Sequence, residues 1–338
     1  GGSGFIGSNF IKIILDQSYY QNEIINIVNL DKLTYAASLK NNNSYVKDTR
    51  YKFVEGDICD EKLIKTLLKK FNIDAVINFA AESHVDNSIE NPNDFIQTNI
   101  NGTFNLLRCI NEFNTLNNKN TLLLHISTDE VFGSLKLTDA SFTEKNPYRP
   151  NSPYSATKAS SDHLVRAWHK TYNLPVIITN CSNNYGPYQN CEKLIPKVIS
   201  NAFSKEKITI YGDGTNIRDW LYVEDHCKAL IKVLIGGKIG ETYNIGGLTE
   251  KSNIEIATII CEIFEEIYPF KDNISINKSC SSYKDLITHI EDRPGHDFRY
   301  SMDTAKIKND LNWSPNETFD SGIRKTVLWY LKKFNDSH

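Results

Sequence analysis

Short apolar segments alternate with helical patterns through the first half of this chain. The apolar segments are IINIVNL (24–30), YKFVEGD (51–57), DAVINFA (74–80) and TLLLHIST (121–128). Between them, EKLIKTLLKKF (61–71) and NDFIQTNINGTFNLLRCINEF (93–113) carry apolar residues at helical spacing, the second just after Pro92. Parallel strands need such crossover helices, which cover both faces of the sheet. The sequence therefore predicts an α/β fold with a doubly wound parallel sheet.

The alternation weakens after a further apolar segment, PVIITNCSN (175–183), and the rest of the chain is rich in turns. A chain of 338 residues is long enough for two domains. We expect a larger ligand-binding domain formed by residues 1–182 and 219–248. Residues 183–218 and 249–338 are then expected to form a smaller α/β lobe that binds the substrate.

Composition excludes several classes of function. The net charge of -3 gives no strong attraction to nucleic acid or to an anionic membrane. The seven cysteines are scattered and form no C-x-x-C pair, which favours neither disulfides nor zinc and indicates a reducing, cytoplasmic setting. We predict no metal site, since His84 and His296 lack ligands at suitable spacing. No apolar run has membrane-spanning length.

A glycine-rich segment opens the chain. Gly1, Gly4 and Gly7 precede the helical pattern SNFIKIILDQ, and such glycines let a backbone approach a pyrophosphate at a helix N-terminus. A simple glycine turn before a helix is the alternative. Asp31 ends the next apolar segment, where an acid can bind the adenosine ribose and favour NAD over NADP. Asp57 follows the segment after that, as an adenine contact or, equally, as a helix N-cap.

Tyr154 and Lys158 occur as Y-S-A-T-K in a helical pattern, so both side chains share one face. A neighbouring ammonium and the positive nicotinamide are expected to lower the pKa of Tyr154, which then takes a proton from a sugar hydroxyl. The same spacing also occurs on ordinary helix surfaces, but the glycine loop favours the catalytic interpretation.

Thr128, Asp129 and Glu130 follow the apolar segment TLLLHIS, at the carboxyl end of a predicted strand, where open α/β sheets bind ligands. Oxidation of C4 of a hexose to a ketone makes the C5 hydrogen acidic. One carboxylate can then remove that proton while a protonated neighbour protonates the departing C6 hydroxyl. An exposed Asp-Glu pair that caps the next segment is the alternative.

Ten segments together resemble one family, the extended short-chain dehydrogenases, and within it the dTDP-glucose 4,6-dehydratases. The resemblance implies a Rossmann-type fold, NAD as cofactor, a homodimer packed through helices that begin near Pro92 and Pro153, and conversion of a nucleoside-diphosphate glucose to its 4-keto-6-deoxy derivative. Related epimerases share the loop and the Tyr/Lys pair but not the Asp-Glu pair. The segments are GGSGFIGS, DKLTYA, AAESHVDNSI, STDEVFG, YSATK, CSNNYGPYQ, EKLIPK, IRDWLYVEDH, YNIGGLTEKSN and DRPGHDFRY.

The resemblance also implies roles for individual residues. Asp129 is the acid and Glu130 the base of the elimination, Tyr154 is the base for the C4 hydroxyl, and Thr128 binds that hydroxyl. The implied NAD contacts are Gly1, Gly4, Phe5, Ile6, Gly7, Asp31, Lys32, Leu33, Thr34, Asp57, Ile58, Phe79, Ala80, Ala81, Ser83, Thr98, Tyr154, Lys158 and Asn184. The implied contacts of the nucleotide sugar are Ser83, Thr128, Asn183, Lys193, Leu194, Tyr211, Arg218, Asn253, Asp292, Arg293 and His296.

Two features depart from the family pattern. Phe132 stands where the family commonly has Tyr, a conservative change, and the strand that normally precedes the glycine loop is absent. We expect a few apolar residues upstream of Gly1 in the intact protein.

Three other functions compete with dehydration of dTDP-glucose. UDP-glucose differs from it in the nucleotide, and one methyl group on a pyrimidine is worth only about 1–3 kcal/mol in a pocket. A nucleotide-sugar 4-epimerase needs Tyr154 and Lys158 but not the Asp129 and Glu130 pair. A scaffold protein without chemistry would be expected to carry damage in this set, and the set is intact.

Overall fold

The computed structural model describes residues 1–16, 26–273, 275 and 280–336. Ile24 and Ile25 of the first predicted strand lie outside the described residues, as does Gln17 of the first predicted helix. The strands are β1 Ile27–Asp31, β2 Tyr51–Glu55, β3 Ala75–Asn78, β4 Leu122–Thr128, β5 Val176–Cys181, β6 Asn183–Tyr185, β7 Ile208–Tyr211, β8 Ile217–Tyr222, β9 Thr242–Ile245, β10 Glu250–Ser252 and β11 Ile287–Ile290. The helices are α1 Phe5–Asp16, α2 Glu61–Phe71, α3 Val85–Glu90, α4 Pro92–Phe95, α5 Thr103–Asn117, α6 Pro153–Tyr172, α7 Leu194–Ser204, α8 Val223–Gly236, α9 Asn253–Ile267, α10 Ala305–Leu311 and α11 Phe319–Asn335.

Parallel strands form the centre of the first lobe. β3, β4, β5 and β9 are hydrogen-bonded in that order, all parallel, and β1 pairs in parallel with β2. Almost every residue of β4 and β5 is buried, which explains why these segments are continuously apolar. Gly1 lies between the two sheets, because its nitrogen contacts Leu30 O and a Cβ added to it would meet Ala80 N.

Helices cover both faces of the four-stranded sheet. On one face, α2, α5 and α6 supply a core that includes Leu68, Ile110 and Val165. On the other, α1 and α8 supply Phe10 and Leu230, among others. The predicted doubly wound α/β arrangement is therefore confirmed.

The predicted helix at 61–71 is confirmed, and the segment 93–113 is helical as its spacing predicts, although not as one regular α-helix. The chain forms α4, then a π-helical segment Ile96–Gly102, then α5, which continues to Asn117. Asn99 explains the wide turn, since its buried side chain bonds both backbone groups of Glu82 and Thr157 Oγ1. π-Bulges are frequent at functional sites, and this one ties the helix to the rim of a cleft.

The second lobe has its own hydrophobic core, formed mainly by α7, α9 and α11. Ser252 and Glu255 begin α9 with reciprocal capping bonds, which ends the preceding turn and starts the amphipathic helix. β6, β8 and β10 form one small sheet, and β7 pairs with β11. The boundaries of the two domains, at residues 182, 218 and 248, stay a prediction.

Candidate active site

A deep cleft lies where the carboxyl ends of β1, β3, β4 and β5 meet, as the open-sheet rule predicts. All five residues of the predicted catalytic set line it. So do most of the expected NAD contacts. The lining residues from the predicted sets are Gly1, Gly4, Phe5, Ile6, Gly7, Asp31, Lys32, Thr34, Asp57, Ile58, Phe79, Ala80, Ala81, Ser83, Thr98, Thr128, Asp129, Glu130, Tyr154, Lys158, Asn183, Asn184 and Lys193.

The glycine loop forms a cradle at one end of the cleft. A Cβ at Gly7 would lie 2.5 Å from Gly1 O and 2.6 Å from Gly2 Cα, so a side chain there would collide with backbone. At Gly4 the nearest atom would be 3.5 Å away, which leaves its backbone open to a ligand. α1 begins directly after Gly4, so the first amides of the helix lie beside this opening. These features fit the pyrophosphate of NAD.

Asp31, at the end of β1, is held by backbone amides. Ser3 N donates to its Oδ2 at 2.8 Å and Leu33 N donates to its Oδ1 at 2.8 Å. The second bond closes a tight turn in which Leu33 adopts a left-handed φ of 55°. Leu33 therefore shapes the loop, but its side chain does not line the cleft.

Asp57 lines the cleft and pairs with Lys32 at 2.8 Å, while its Oδ1 accepts from Cys59 N. The alternative that Asp57 caps the following helix is wrong. Asp60 is the N-cap of α2, accepting from Leu63 N at 2.9 Å. The two acids are three residues apart, and sequence alone did not distinguish which one caps the helix.

Thr128 ends β4, and Asp129 and Glu130 begin a short 3-10 helix, Asp129–Phe132. Thr128 Oγ1 accepts from Glu130 N at 3.3 Å and donates to Asp129 Oδ1 at 3.2 Å. Asp129 is only 1% exposed, and its Oδ2 has no hydrogen-bond partner within the described part of the chain. Burial, followed by the charge of Glu130, raises the pKa of Asp129 well above its ordinary value. Asp129 is thus suited to hold a proton and donate it.

Glu130 is the less buried acid of the pair. Burial raises the pKa of its carboxyl, but Arg293, Arg218 and Lys193 oppose that rise. All three of these basic residues come from position 193 onward, far from Glu130 in the sequence. The two adjacent acids therefore occupy different environments, one dry and one facing cations, which separates an acid from a base.

Tyr154 lies in the first turn of α6, which begins with a capping box between Ser152 and Ser155. The ring of Tyr154 packs edge-on against Phe95 at 6.3 Å. Burial and the charge of Glu130 raise its pKa well above the ordinary value, while a hydrogen bond with Thr128 lowers it. The expectation that Lys158 and the nicotinamide together lower this pKa stays a prediction: in the protein alone the buried phenol lies beside an acid, and the ammonium of Lys158 donates to Ile126 O at 2.7 Å.

Several expected substrate contacts do not line the cleft and lie in the second lobe or next to it. Tyr211 Oη donates to Asp86 Oδ2 at 3.0 Å, and Arg293 pairs with Asp86 Oδ1 at 3.4 Å. Arg218 is buried, donates to the carbonyls of residues 217, 297 and 298, and stacks on the Tyr300 ring. The residues outside the lining set are Leu33, Leu194, Tyr211, Arg218, Asn253, Asp292, Arg293 and His296.

The cleft also contains residues that we did not predict. Cys181 and Ser182 lie at the carboxyl end of β5, and burial raises the pKa of the Cys181 thiol to about 12. The strand-end rule that selected Thr128 applies equally to them, so a signal was present. Glu192 lies on a loop and carried no such signal, whereas Glu82 falls within the stretch from Phe79 to Ser83 that the resemblance implied.

The described residues were also compared with the requirements of a metal site and of a membrane-spanning helix. Among the residues that the structure describes, no group of three His, Cys, Asp or Glu side chains is arranged to hold a metal ion. None of the described helices is both long and apolar enough to cross a membrane.

This chain is similar to known nucleotide-sugar dehydratases in both sequence and structure. The sequence model of the family described as GDP-mannose 4,6 dehydratase matches residues 1–326. The dTDP-glucose 4,6-dehydratase of Haemophilus influenzae is 52% identical over 341 residues, covering 100% of this chain and 97% of that protein. The chain belongs to the dTDP-glucose 4,6-dehydratase family.

Solved structures of dTDP-glucose 4,6-dehydratases have the same fold. The Streptomyces venezuelae enzyme, solved with NAD bound, is 40% identical with a TM-score of 0.90, and the match covers 99% of this chain and 96% of that one. The Bacillus anthracis enzyme in complex with NAD is 42% identical with a TM-score of 0.85, at the same coverage. The predicted Rossmann-type fold of this dehydratase family member is confirmed.

Proposed function

We propose that this chain dehydrates dTDP-glucose to its 4-keto-6-deoxy derivative, with NAD as the cofactor. The observation that carries the proposal is the pair of adjacent acids in unlike environments. Asp129 is buried with a raised pKa, and Glu130 faces three cations. Both line one cleft with Tyr154. An epimerase needs no such pair, because it eliminates nothing.

The residues act in sequence. Tyr154 takes the proton of the C4 hydroxyl, to which Thr128 hydrogen-bonds, as that carbon is oxidised. Glu130 then removes the proton at C5, and protonated Asp129 gives a proton to the departing C6 hydroxyl, which leaves as water. When bound, NAD accepts the hydride from C4 and returns it to C6, and its positive ring favours a phenolate at Tyr154.

The protons balance only if Tyr154 passes one proton to Asp129. Over a cycle Tyr154 gains a proton and Asp129 loses one, whereas Glu130 returns its proton to C5. Thr128 lies between them, since its hydroxyl donates to Asp129 at 3.2 Å and also hydrogen-bonds with Tyr154. The reset of the enzyme is therefore assigned to this hydroxyl.

NAD is assigned to the cleft, and the nucleotide sugar to the cleft and the second lobe beside it. The residues assigned to NAD are those of the cradle, Asp31, Asp57 and the carboxyl ends of β3 and β4, together with Lys158. The diphosphate is assigned to Arg218 and Arg293, which lie outside the cleft lining and whose guanidinium groups present planar pairs of donors. Tyr211, His296 and Asn253 are assigned to the same ligand.

The test is incubation of the purified protein with dTDP-glucose, UDP-glucose and GDP-mannose, with product masses measured. We expect dTDP-glucose to lose one water without added NAD. Recovery of every substrate unchanged, or of a same-mass epimer, overturns the proposal. Faster conversion of UDP-glucose than of dTDP-glucose would keep the chemistry and change the nucleotide.

We further propose that the protein is a homodimer and works in the cytoplasm, where its seven free thiols stay reduced. Apolar side chains on the π-helical segment, α5 and α6 support the dimer: Ile96, Phe104 and Tyr172 are 45%, 40% and 53% exposed. Phe104 stacks edge-on with Trp168 at 5.6 Å, which joins α5 and α6 into one surface. Sedimentation is expected to give a dimer for the wild type and a monomer for Phe104→Glu. A wild-type monomer at micromolar concentration contradicts the dimer.

A further inference from the structure

A buried polar network lies beside Lys158 and includes Ser127 of the cleft lining. Asp162, one turn later on α6, is 2% exposed. Its Oδ2 accepts from Ser127 Oγ at 2.8 Å, Tyr148 Oη at 2.9 Å and Asn180 Nδ2 at 3.2 Å. Three donors on one oxygen fit a carboxylate. These donors come from β4, β5 and the loop before α6, so Asp162 is fixed from several sides.

A buried carboxylate needs a positive partner, because an unpaired charge is costly inside a protein. His125 Nε2 lies 3.3 Å from Asp162 Oδ1. Burial, followed by the charge of Lys158, lowers the pKa of His125, which leaves the ring neutral at neutral pH. The ammonium of Lys158, four residues earlier on the same helix, is a cation that interacts with Asp162.

Lys158 depends on Asp162 in return. Its side chain is buried, with 4% exposure, and its Nζ donates to Ile126 O at 2.7 Å. Burial lowers the pKa of Lys158, and Asp162 is the largest influence that raises it, followed by Cys181. The carbonyl fixes the direction of the ammonium, and the carboxylate supplies the opposing charge.

We propose that Asp162 is a positioning residue, whose charge holds the ammonium of Lys158 against β4 at the edge of the cleft. The inference rests on the proposed function, in which Lys158 supports Tyr154. Asp162 itself does not line the cleft, but it contacts Ser127 of the lining and interacts with Lys158. Its proposed role, acting through Lys158, is therefore separable from that of the catalytic acids.

The other titratable groups around Lys158 set the control conditions. His125 faces it from β4, Cys181 from β5 and Tyr154 from the same helix. Asp129 and Glu130 stand at the adjoining side of the cleft. Of these groups, His125 lies against Asp162 itself, at 3.3 Å, so a change of charge at Asp162 also reaches its ring.

Asp162→Asn removes the charge and keeps the shape and an oxygen acceptor. Without the carboxylate the buried ammonium is less stable, so the pKa of Lys158 falls and the alkaline limb of kcat moves to lower pH. We expect the loss of kcat relative to the wild type to grow with pH and to approach about tenfold per unit of pKa once the pH exceeds the pKa of Lys158. At pH 6.5 the loss should be much smaller.

Tyr148→Phe is the matched control, because it removes one donor to the same carboxylate without changing charge. Both variants are expected to lower the Tm, but only Asp162→Asn should move the alkaline limb. If the two pH profiles coincide with that of the wild type, Asp162 is merely structural and the inference is overturned. Asp162→Ser, which leaves room for water, serves if Asp162→Asn does not fold.

A second measurement needs no turnover. In protein labelled with ¹³C at lysine Cε, the Lys158 signal is assigned by its loss in Lys158→Arg and titrated by NMR. We expect a lower pKa of Lys158 in Asp162→Asn than in Tyr148→Phe, and equal values overturn the inference. Should the wild type leave dTDP-glucose unchanged, the proposed function fails, while this titration still decides whether the charge pair exists.

Discussion

The end of the cleft assigned to the cofactor and the sugar-nucleotide region beside the cleft are built in different ways. At the cofactor end, backbone groups form the site and hold the side chains: a Cβ at Gly7 would meet the backbone of Gly1 and Gly2, and two amides fix Asp31. At the sugar-nucleotide end, side chains from distant segments hold one another, as Asp86 holds both Tyr211 and Arg293. The first arrangement is already complete without a ligand. The second is made of ion pairs that a diphosphate can replace.

This difference suits the chemistry. A cofactor that ends each cycle as it began gains from a rigid backbone site, because preorganised groups lose little freedom on binding. A substrate that enters and leaves gains from exchangeable partners. Four substitutions test this difference between the two regions.

The largest effect is expected at the point where the two ends meet. Glu130→Gln should lower kcat by about 10²–10⁴-fold, the usual contribution of a general base, with little change in nucleotide binding. In the wild type, kcat should rise as the pH passes the raised pKa of Glu130, and this acidic limb should disappear in the variant. Exchange of the C5 hydrogen with deuterated solvent, followed by mass, checks the role. Rapid exchange in Glu130→Gln would remove Glu130 as the base.

A glycine substitution tests the backbone end. Gly7→Ala places a Cβ within 2.6 Å of backbone at Gly1 and Gly2, neither of which can move aside easily. We expect the NAD content of the purified protein to fall about tenfold or more, corresponding to at least ~1.4 kcal/mol. Ala at Gly4 is the control for folding, because its Cβ meets no atom closer than 3.5 Å. Full NAD content in Gly7→Ala would show that the cradle is less rigid than its contacts indicate.

Loss of a guanidinium tests the side-chain end. Arg293→Gln should raise the KM for dTDP-glucose by about tenfold to a hundredfold, since a hydrogen bond to a charged group is worth about 1.5–3 kcal/mol. It should leave NAD content unchanged. Arg293 is also the strongest influence that lowers the pKa of Glu130, so the acidic limb of kcat should move to higher pH. A normal KM with an unmoved limb contradicts both assignments.

The smallest effect is expected at Asp86, whose carboxylate occupies Arg293 and Tyr211. Asp86→Asn releases both from an ion pair of modest strength, because partly exposed pairs are worth about 0–1 kcal/mol. We expect the KM for dTDP-glucose to change by about fivefold or less, and to fall. Steady-state kinetics at two salt concentrations measure it. A large rise in KM would mean that Asp86 positions Arg293 for the substrate and does not compete with it.

Local sequence patterns were enough to predict the strands of the sheet and most of the residues at the cofactor end of the cleft. The strands at 51–57, 74–80 and 121–128, the helix at 61–71 and the cleft-lining positions of Gly4, Asp31 and Thr128 follow from periodicity and from residues next to strand ends. Such signals are short in range, so a sequence carries them directly. Helical spacing did not reveal that 96–102 is a π-helical turn, because that turn depends on hydrogen bonds from Asn99 to Glu82 and Thr157.

Residue type and spacing identify the candidates for the chemistry: a glycine loop, an acid after the next strand, the Asp129 and Glu130 pair, and the spacing of Tyr154 and Lys158. Their protonation depends on the fold. The raised pKa of Asp129, the cations that oppose the rise at Glu130 and the raised pKa of Tyr154 come from burial and from charges that packing holds close together. Desolvation and charge proximity depend on how distant segments pack, and no local pattern of residues encodes them.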